Sequence, residues 1–531
     1  MRVACKICLV FWLALATILP AWSTDWRGKV AGSVIDRANQ GNASFLLILR
    51  DQADLSGAKR LMGKKTKGQW VVDRLRSLAR RSQAPILEEL TQLKAPHQSF
   101  WVTNMIVVEG DLDLVANLAQ REDVARIAAN APFRSEIPLA EKTSFSGTQI
   151  SWGVDQINAP AVWAMGYTGQ GVVVAGQDTG YDWDHPGLIE QYRGWNGISA
   201  DHNYNWHDAI HTGGGSCGPD AAFPCDDGSH GTHTLGTMVG NDGLGNQVGV
   251  APGATWIGCR NMDEGNGTPA TYSECFQWFL APTDLNGENP DVSKAPHVIN
   301  NSWGCPAVEG CTDPEVMRTL VENVRAAGIV VVASAGNSGS GCATINTPSA
   351  IYDASFTVGA TGMTDAIASL SSRGPVTIDG SNRLKPDIVA PGLSIRSTIP
   401  NGNYGNKSGT SMAGPHVAGL VALILSAAPE LEGDVDRIEE IIRNTALPLT
   451  STQDCGAFPG DQVPNPVYGW GRIRADVAVE EALGIRQPEC GDFPGMVALW
   501  PMPVNGFPDT NGNHRMDVID LIPVSQCSLA P

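Results

Sequence analysis

A doubly wound, mostly parallel α/β sheet is the fold class the sequence predicts for the larger part of this 531-residue chain. Four short β-branched runs, Gly171 to Ala175, His297 to Asn300, Ile329 to Ala333 and Ser355 to Val358, lack polar/apolar alternation. Strands covered on both faces read this way. Between them lie stretches at helical spacing, such as Thr232 to Gly240 and Pro314 to Ala327, and strands alternating with helices build a parallel sheet. Asp178 follows directly on the first run, and in open parallel sheets functional groups gather beyond the carboxyl ends of strands.

Residues 1–23 read as an export signal. Arg2 and Lys6 form a basic start, Ile7 to Leu19 an apolar core, and Ala21-Trp22-Ser23 a small-x-small cleavage site. That core is short for a bilayer span and no later stretch reaches spanning length, so a soluble, secreted protein (extracellular or periplasmic) without a membrane partner is expected.

Residues 24–140 are expected to form a separate α+β unit. Ser44 to Arg50 reads as a strand, the apolar positions Val72, Leu75, Ile86, Leu87, Leu90 and Leu93 as a helix, and Ser99 to Glu109 as two strands around Thr103-Asn104. Leu112, Leu114, Val115 and Leu118 mark a second helix and Val124 to Ala128 a last strand. That order, βαββαβ, is the ferredoxin-like arrangement. Residues 131–150, rich in Pro, Ser, Thr and Gly, read as a linker, and the main unit is placed at 141–485. After Gly484 the chain becomes Pro/Gly-rich, so 486–531 is expected to be a small tail.

Charge divides along the same boundary. Residues 24–135 hold 17 Lys and Arg against 12 Asp and Glu, a net of +5; residues 136–531 hold 17 against 43, a net of −26. An acidic main body disfavours nucleic acid as a partner, and the basic unit before it can dock electrostatically. Of the 12 cysteines, Cys5 and Cys8 belong to the signal. The ten others form an even set that predicts disulfides in an exported chain, and short spacing favours Cys217–Cys225 and Cys305–Cys311, then Cys490–Cys527. No Cys/His cluster has zinc-ligand spacing.

Four stretches carry chemistry. Val172 to Ala175 runs into Gly176-Gln177-Asp178-Thr179-Gly180; Gly228-Ser229-His230-Gly231-Thr232-His233-Thr234 opens a helix; and Ile329 to Ala335 leads into Gly336-Asn337. Gly409-Thr410-Ser411-Met412-Ala413-Gly414-Pro415-His416 opens a strongly apolar helix rich in small residues, with Ser411 at its mouth. There the orphan N–H groups and the positive end of the helix dipole favour a developing negative charge. Each stretch also has an ordinary structural reading: Ser411 as part of an N-cap turn, Asp178 and Asn337 as turn residues, and His230 as a structural histidine. Together they supply a complete set. Serine is a weak nucleophile until a base takes its proton, the base needs a carboxylate to fix its tautomer, and an Asn amide with the Ser411 N–H forms an oxyanion hole.

These blocks, in the order Asp, His, Asn, Ser, resemble the four signatures of the subtilisin-like serine peptidases. Trp152-Gly153-Val154, Pro186-Gly187-Leu188 and Asn300-Asn301-Ser302-Trp303-Gly304 are most similar to the bacillopeptidase F branch. The resemblance covers about 152–484. It implies a serine endopeptidase with Asp178, His230 and Ser411 as triad and Asn337 as oxyanion donor. It further implies that Ser302, Trp303, Gly304, Ser334, Ala335 and Gly336 line a cleft that binds protein or peptide substrates as an added strand. The related sedolisins, with acidic residues at the positions of His230 and Asn337, are excluded. Residues 24–140 become an inhibitor-type prodomain, removed by self-cleavage within 130–150, and a monomer is expected. His233 and His416 match the motifs as packing residues. The insertion between Asp178 and His230, with Tyr204, Trp206, His207 and Gly213-Gly214-Gly215, reads as a surface loop at the cleft rim. The base of the main specificity pocket is expected near Ala343 to Thr347, with Asn346 a candidate.

Two other classes fit these residues less well. An inert, calcium-stabilised secreted binding scaffold has no need of all four groups, and an esterase would carry its Gly-x-Ser-x-Gly elbow around Ser411, where Gly409-Thr410-Ser411-Met412-Ala413 stands, with the triad in another order. The tail holds Asp509, Asn511, Asn513, Asp517 and Asp520 at positions 1, 3, 5, 9 and 12 of a calcium-loop pattern resembling a dockerin repeat, so a structural Ca2+ is expected. Position 6 is His514 where the pattern prefers Gly, and one copy stands where dockerins use two. Absence of heat on calcium titration would remove that expectation.

Overall fold

The computed structural model describes residues 25–130, 132–134, 141–142, 149–304 and 313–485. The export signal, the Cys305–Cys311 and Cys490–Cys527 pairings, and the calcium loop Asp509 to Asp520 lie outside the described residues.

The first unit consists of α1 (Gly32–Asn39), β1 (Ala43–Leu49), α2 (Lys64–Leu93), β2 (His97–Phe100), β3 (Met105–Gly110), α3 (Leu112–Gln120) and β4 (Val124–Ala129). Its sheet is antiparallel throughout, in the order β2-β3-β1-β4. From β1 onward this is βαββαβ; helix α1 was not anticipated. The continuous apolar run of β1 has a direct cause. Phe45, Leu47 and Leu49 pack with Ile86, Leu90, Val115 and Leu118 inside the unit, while Leu46 on the opposite face joins the cluster shared with the main unit.

The main unit follows with β5 (Val173–Asp178), β6 (Trp206–Asp208), α4 (His230–Val239), β7 (Thr255–Arg260), α5 (Pro269–Leu280), β8 (Val298–Asn301), α6 (Arg318–Ala326) and β9 (Val330–Ser334). After these come β10 (Phe356–Thr361), β11 (Ile388–Pro391), β12 (Ile395–Ile399), β13 (Asn403–Lys407), α7 (Thr410–Ala427), α8 (Val435–Asn444) and α9 (Ala475–Ala482). Seven parallel strands lie in the order β11-β10-β9-β8-β5-β7-β6. The chain leaves β5 towards β7 and later returns on its other side with β8, so the order reverses at β5. Ligand crevices of open α/β sheets form at that reversal, and Asp178 ends β5. Helix α7 packs along the centre and is buried from Thr410 to Leu425. It is also the one helix among the described residues long and apolar enough to cross a membrane, and its burial marks it as a core helix.

Several elements depart from the sequence expectation. Helix α4 begins at His230 itself, two residues early, and α6 begins at Arg318 rather than Pro314. The insertion between Asp178 and His230 is not simply a surface loop. It contributes edge strand β6, and Trp206 is 1% exposed, its Nε1 donating to the Ala221 carbonyl at 2.7 Å. The next turn is pinned from below by a buried ion pair. Arg260 on β7 donates Nε to Asp208 Oδ1 at 2.9 Å and Nη2 to Oδ2 at 2.8 Å, and the Ile210 and Ala221 N–H groups donate to the same carboxylate. Asp208→Ala leaves that buried guanidinium with Asp227 as its one carboxylate partner among the described residues, beside the Gly214 and Gly218 carbonyls, so unfolding in urea should show a loss of about 3–5 kcal/mol. A loss under 1 kcal/mol would contradict this account.

Cys217–Cys225 is bonded as expected. Cys259–Cys275, which fastens β7 to α5, and Cys342–Cys455, 113 residues apart, are bonds that spacing did not reveal.

The two units share one apolar cluster. Val71, Val72, Leu75, Phe100, Val102 and Met105 pack against α5 and α6 through residues such as Phe276, Leu280, Leu320 and Val324. Polar bonds frame that contact. Lys64 Nζ donates to the Ala295 carbonyl (2.6 Å), Gln277 Oε1 accepts from the Trp101 N–H (2.6 Å), and Asn323 Nδ2 donates to the Val102 carbonyl (2.7 Å). Gln98 Nε2 donates to Glu274 Oε2 at 2.7 Å. Burial pushes the Glu274 carboxyl up, but hydrogen bonds from His207 and His211 outweigh it and hold the group ionised below its usual range.

Candidate active site

Strand β5 delivers Asp178 to the reversal point, 1% exposed. Its Oδ1 accepts the His230 Nδ1–H at 2.8 Å and the Thr179 N–H at 2.8 Å, and Thr234 Oγ1 donates to Oδ2 at 3.4 Å. A carboxylate bonded on that ring nitrogen leaves Nε2 as the free, basic position. His230 Nε2 indeed makes no hydrogen bond in the structure.

The approach of His230 to Asp178 depends on the residue after it. A Cβ at Gly231 would stand 2.1 Å from the Gly180 carbonyl oxygen and 3.0 Å from Asp178 Cβ. Any side chain there would push the opening of α4 away from β5. The cap of that helix is supplied from a distance. Ser229, the residue before it, has a left-handed backbone and makes no side-chain cap. Asp226 does the work instead, with Oδ1 accepting from Thr179 Oγ1 (2.7 Å) and the N–H groups of Gly228 and Ser229, and Oδ2 accepting from the Thr232 N–H (2.9 Å) and Oγ1 (2.5 Å). One carboxylate thus ties the neighbour of Asp178 to the start of the His230 helix. An acidic residue shortly before a helix opening was its only sequence signal.

Ser411 lies in the first turn of α7 and is 5% exposed. Its Oγ donates to the Ser302 carbonyl at 3.3 Å rather than to His230. Hydrogen bonds of catalytic groups are often loose in free enzymes and tighten when substrate arrives. Pro415 explains part of the architecture here. It has no N–H to give the Ser411 carbonyl four residues back. That carbonyl accepts instead from Ser302 Oγ at 2.9 Å, and Ser334 Oγ donates to the Thr410 carbonyl at 3.0 Å. Hydroxyls at the ends of β8 and β9 therefore clamp the turn that carries Ser411. Asn337, just beyond β9, accepts from the Thr410 N–H (2.9 Å) and Oγ1 (3.0 Å) with its Oδ1. This fixes the amide so that Nδ2 is turned towards Gly409, 3.4 Å from where a Cβ would be.

The remaining sequence candidates divide. Gly304 abuts Thr347, whose Oγ1 would be 2.6 Å from an added Cβ, and Gly336 donates its N–H to Thr410 Oγ1 at 3.1 Å. Ala335 is buried, its N–H bonded to the Val358 carbonyl. Trp303 is 3% exposed, its ring stacked on Tyr272 at 3.8 Å between centroids, so its side chain belongs to the core. Asn346 Oδ1 and Thr347 Oγ1 are buried without hydrogen bonds, next to that wall. His233 and His416 are packing residues: His233 Nε2 donates to the Ile395 carbonyl and His416 Nδ1 to that of Met412, and burial lowers both rings, His416 to about 4.

Two backbone pairings were not foreseen. Phe133–Arg134 runs antiparallel to Asn266–Gly267, and Glu141–Lys142 runs antiparallel to Gly405 and Asn406 on β13. Among the described residues no group of three or more His, Cys, Asp or Glu could hold a metal ion.

Comparison with known proteins gives a consistent picture. The subtilase family pattern, a peptidase family, matches residues 169–471. The chain is 39% identical over 466 residues to Bacillopeptidase F of Bacillus subtilis, covering 84% of this chain and 31% of that protein. It is 37% identical over 284 residues to a subtilisin of Bacillus pumilus (53% of this chain, 86% of the relative) and 31% identical over 331 residues to Subtilisin Savinase of Lederbergia lenta (62% and 98%). The chain thus spans about a third of the length of Bacillopeptidase F, and 62% of that of Subtilisin E from Bacillus subtilis.

Proposed function

The chain belongs to the subtilase family, and from that premise we propose that it is a secreted serine endopeptidase made as a self-processed zymogen. The observation that carries this reading is the Asp178–His230 bond with an unpaired Nε2 beside the helix that opens at Ser411. In the proposed reaction Ser411 Oγ attacks the peptide carbonyl while His230 Nε2 takes its proton. Asp178 holds the imidazole in the productive tautomer and stabilises the imidazolium. The oxyanion is met by Asn337 Nδ2 and the Ser411 N–H, and losing one such donor raises the barrier by about 2.7–4 kcal/mol. His230 then gives its proton to the leaving amine, and water enters by the same route to release the acyl group.

Residues 24–140 act in this reading as an inhibitory prodomain. Its basic charge against an acidic main body supports that role, as does the apolar face it lays on α5 and α6. The pairing of Phe133–Arg134 with Asn266–Gly267, and of Glu141–Lys142 with the strand that leads to Ser411, favours self-cleavage between Arg134 and Glu141. N-terminal sequencing of the secreted protein, with fluorophosphonate labelling of the same sample, tests both parts. A label on Ser411 and a new N-terminus within 135–141 are expected. An unlabelled serine refutes the peptidase, and a mature end outside 131–150 refutes self-cleavage in the linker.

A further inference from the structure

The insertion between Asp178 and His230 gathers aromatic rings at the surface as well as supplying strand β6. Trp183 stands near its start, with Tyr192, Trp195 and His202 around it at 5.8, 6.1 and 5.3 Å between ring centroids. Tyr192 is buried and packs on Trp256 at 4.5 Å, which roots the group in the core. Trp183, Trp195 and His202 stay partly exposed, and Phe223, 54% exposed, extends the group beyond His202. Single exposed apolar residues are ordinary, whereas contiguous rings with a polar rim are characteristic of interaction surfaces.

The rim says what sign of charge fits. Between Asp182 and Asp201 the chain carries four carboxylates, Asp182, Asp184, Glu190 and Asp201, against one guanidinium, Arg193. Asp182 is engaged in the fold: its N–H donates to Thr232 Oγ1 on α4 at 3.0 Å, and its Oδ2 accepts from the Asn401 N–H at 2.8 Å. The other three are exposed, and among the described residues none of them joins an ion pair. Glu190 is held against the rings, its Oε1 accepting from Trp195 Nε1 at 3.3 Å, and Asp201 adjoins His202. Arg193 does not neutralise them, because its Nε donates to Asn205 Oδ1 at 2.6 Å and its Nη1 to the Lys294 carbonyl at 2.8 Å. Burial lowers the His202 imidazole below its usual value, so near pH 7 it adds no positive charge. Indole faces attract a cation, most strongly among the aromatic side chains, and carboxylates beside them act in the same direction. The bond from Asp182 to α4, the helix that His230 opens, brings this surface within reach of a long chain held in the cleft.

We propose that this surface is an exosite: Trp183 and Trp195, with the carboxylates of Asp184, Glu190 and Asp201, dock a lysine- or arginine-bearing segment of the protein substrate outside the catalytic cleft. The choice of a substrate as occupant rests on the peptidase reading above. The first test mixes the mature enzyme with a blocked tetralysine peptide, or its acetyl-lysine counterpart as control, and adds a carbodiimide, which converts a carboxylate and an amine in contact into an amide. Peptide mass analysis should place the cross-links at Asp184, Glu190 and Asp201. Links spread over the acidic surface in proportion to exposure overturn the proposal, and that arm needs no variant to fold. In the second test, the combined change Asp184→Asn, Glu190→Gln and Asp201→Asn should raise KM for a long lysine-rich polypeptide about tenfold, equivalent to about 1.4 kcal/mol. Its kcat should stay, and so should both constants for a short uncharged fluorogenic peptide. Trp183→Ala should act in the same direction. An unchanged KM for the long substrate, or an equal rise for the short one, overturns the proposal. So does a dimer in sedimentation velocity that Trp183→Ala abolishes, since a second copy of the chain would then be the occupant. Cross-links at the three carboxylates without cleavage of any peptide defeat the peptidase reading, whereas cleavage of the short peptide without those cross-links defeats only the docking.

Discussion

Ser411→Ala is expected to lower peptide hydrolysis by about 10⁶-fold, the scale on which removing the nucleophile of an Asp-His-Ser site acts, and to leave the secreted chain unprocessed. The physical case is that the hydroxyl can be deleted without disturbing what holds it. The Ser411 hydroxyl makes one long bond, to the Ser302 carbonyl, so deleting it barely touches the fold. The carbonyls of Thr410 and Ser411 keep their clamps from Ser334 and Ser302, and α7 keeps its buried length. What is lost is the atom that forms the acyl bond. Steady-state hydrolysis of a peptide substrate and the intact mass of protein from a protease-deficient host check the two halves. Residual activity within a hundredfold of wild type, or a mature-sized Ser411→Ala product, would refute them.

Asp178→Asn should be the next most damaging change, with kcat reduced about 10⁴-fold and the fold retained. Asp178 Oδ1 accepts from both His230 Nδ1 and the Thr179 N–H, so the carboxylate is held by two donors at one oxygen. An amide can satisfy them only with its oxygen in that place. If its NH2 turns to the ring, Nδ1 becomes the acceptor and the proton moves to Nε2, where no proton can then be taken from Ser411. Even with its oxygen correctly placed, the neutral amide no longer stabilises the imidazolium. The pre-steady-state acylation rate reports this directly, and near-UV circular dichroism checks that packing survives. A loss under tenfold would mean that His230 does not depend on this carboxylate.

Both experiments address residues that the chain announces locally. Asp178, His230, Asn337 and Ser411 each sit at the end of a strand or the start of a helix, next to glycines whose small size admits a neighbouring backbone. Gly231 shows why: its missing Cβ is what lets α4 meet β5. Strands β5, β8, β9 and β10 were legible for the related reason that a strand buried on both faces must be apolar at every position. Strand β7 was not, because Gly258, Cys259 and Arg260 interrupt its apolar run, and Arg260 is tolerated there only through Asp208, fifty-two residues earlier in the chain. Trp206 was misplaced to the surface because a polar, glycine-rich context hides a residue that a long insertion brings into the sheet as edge strand β6.

What the sequence determined by itself is the set of four proposed reacting groups, their order along the chain, and the buried parallel sheet, since these rest on local patterns of size, polarity and turn chemistry. What only the tertiary structure decided is how those groups and their surroundings are held: Asp226 capping the His230 helix, the serine clamps that replace the bond Pro415 cannot make, and the long-range disulfide Cys342–Cys455. Each depends on residues far apart in the chain meeting at one point. No window of sequence contains that meeting, because it is set by packing two sheets and their helices into a single close-packed volume.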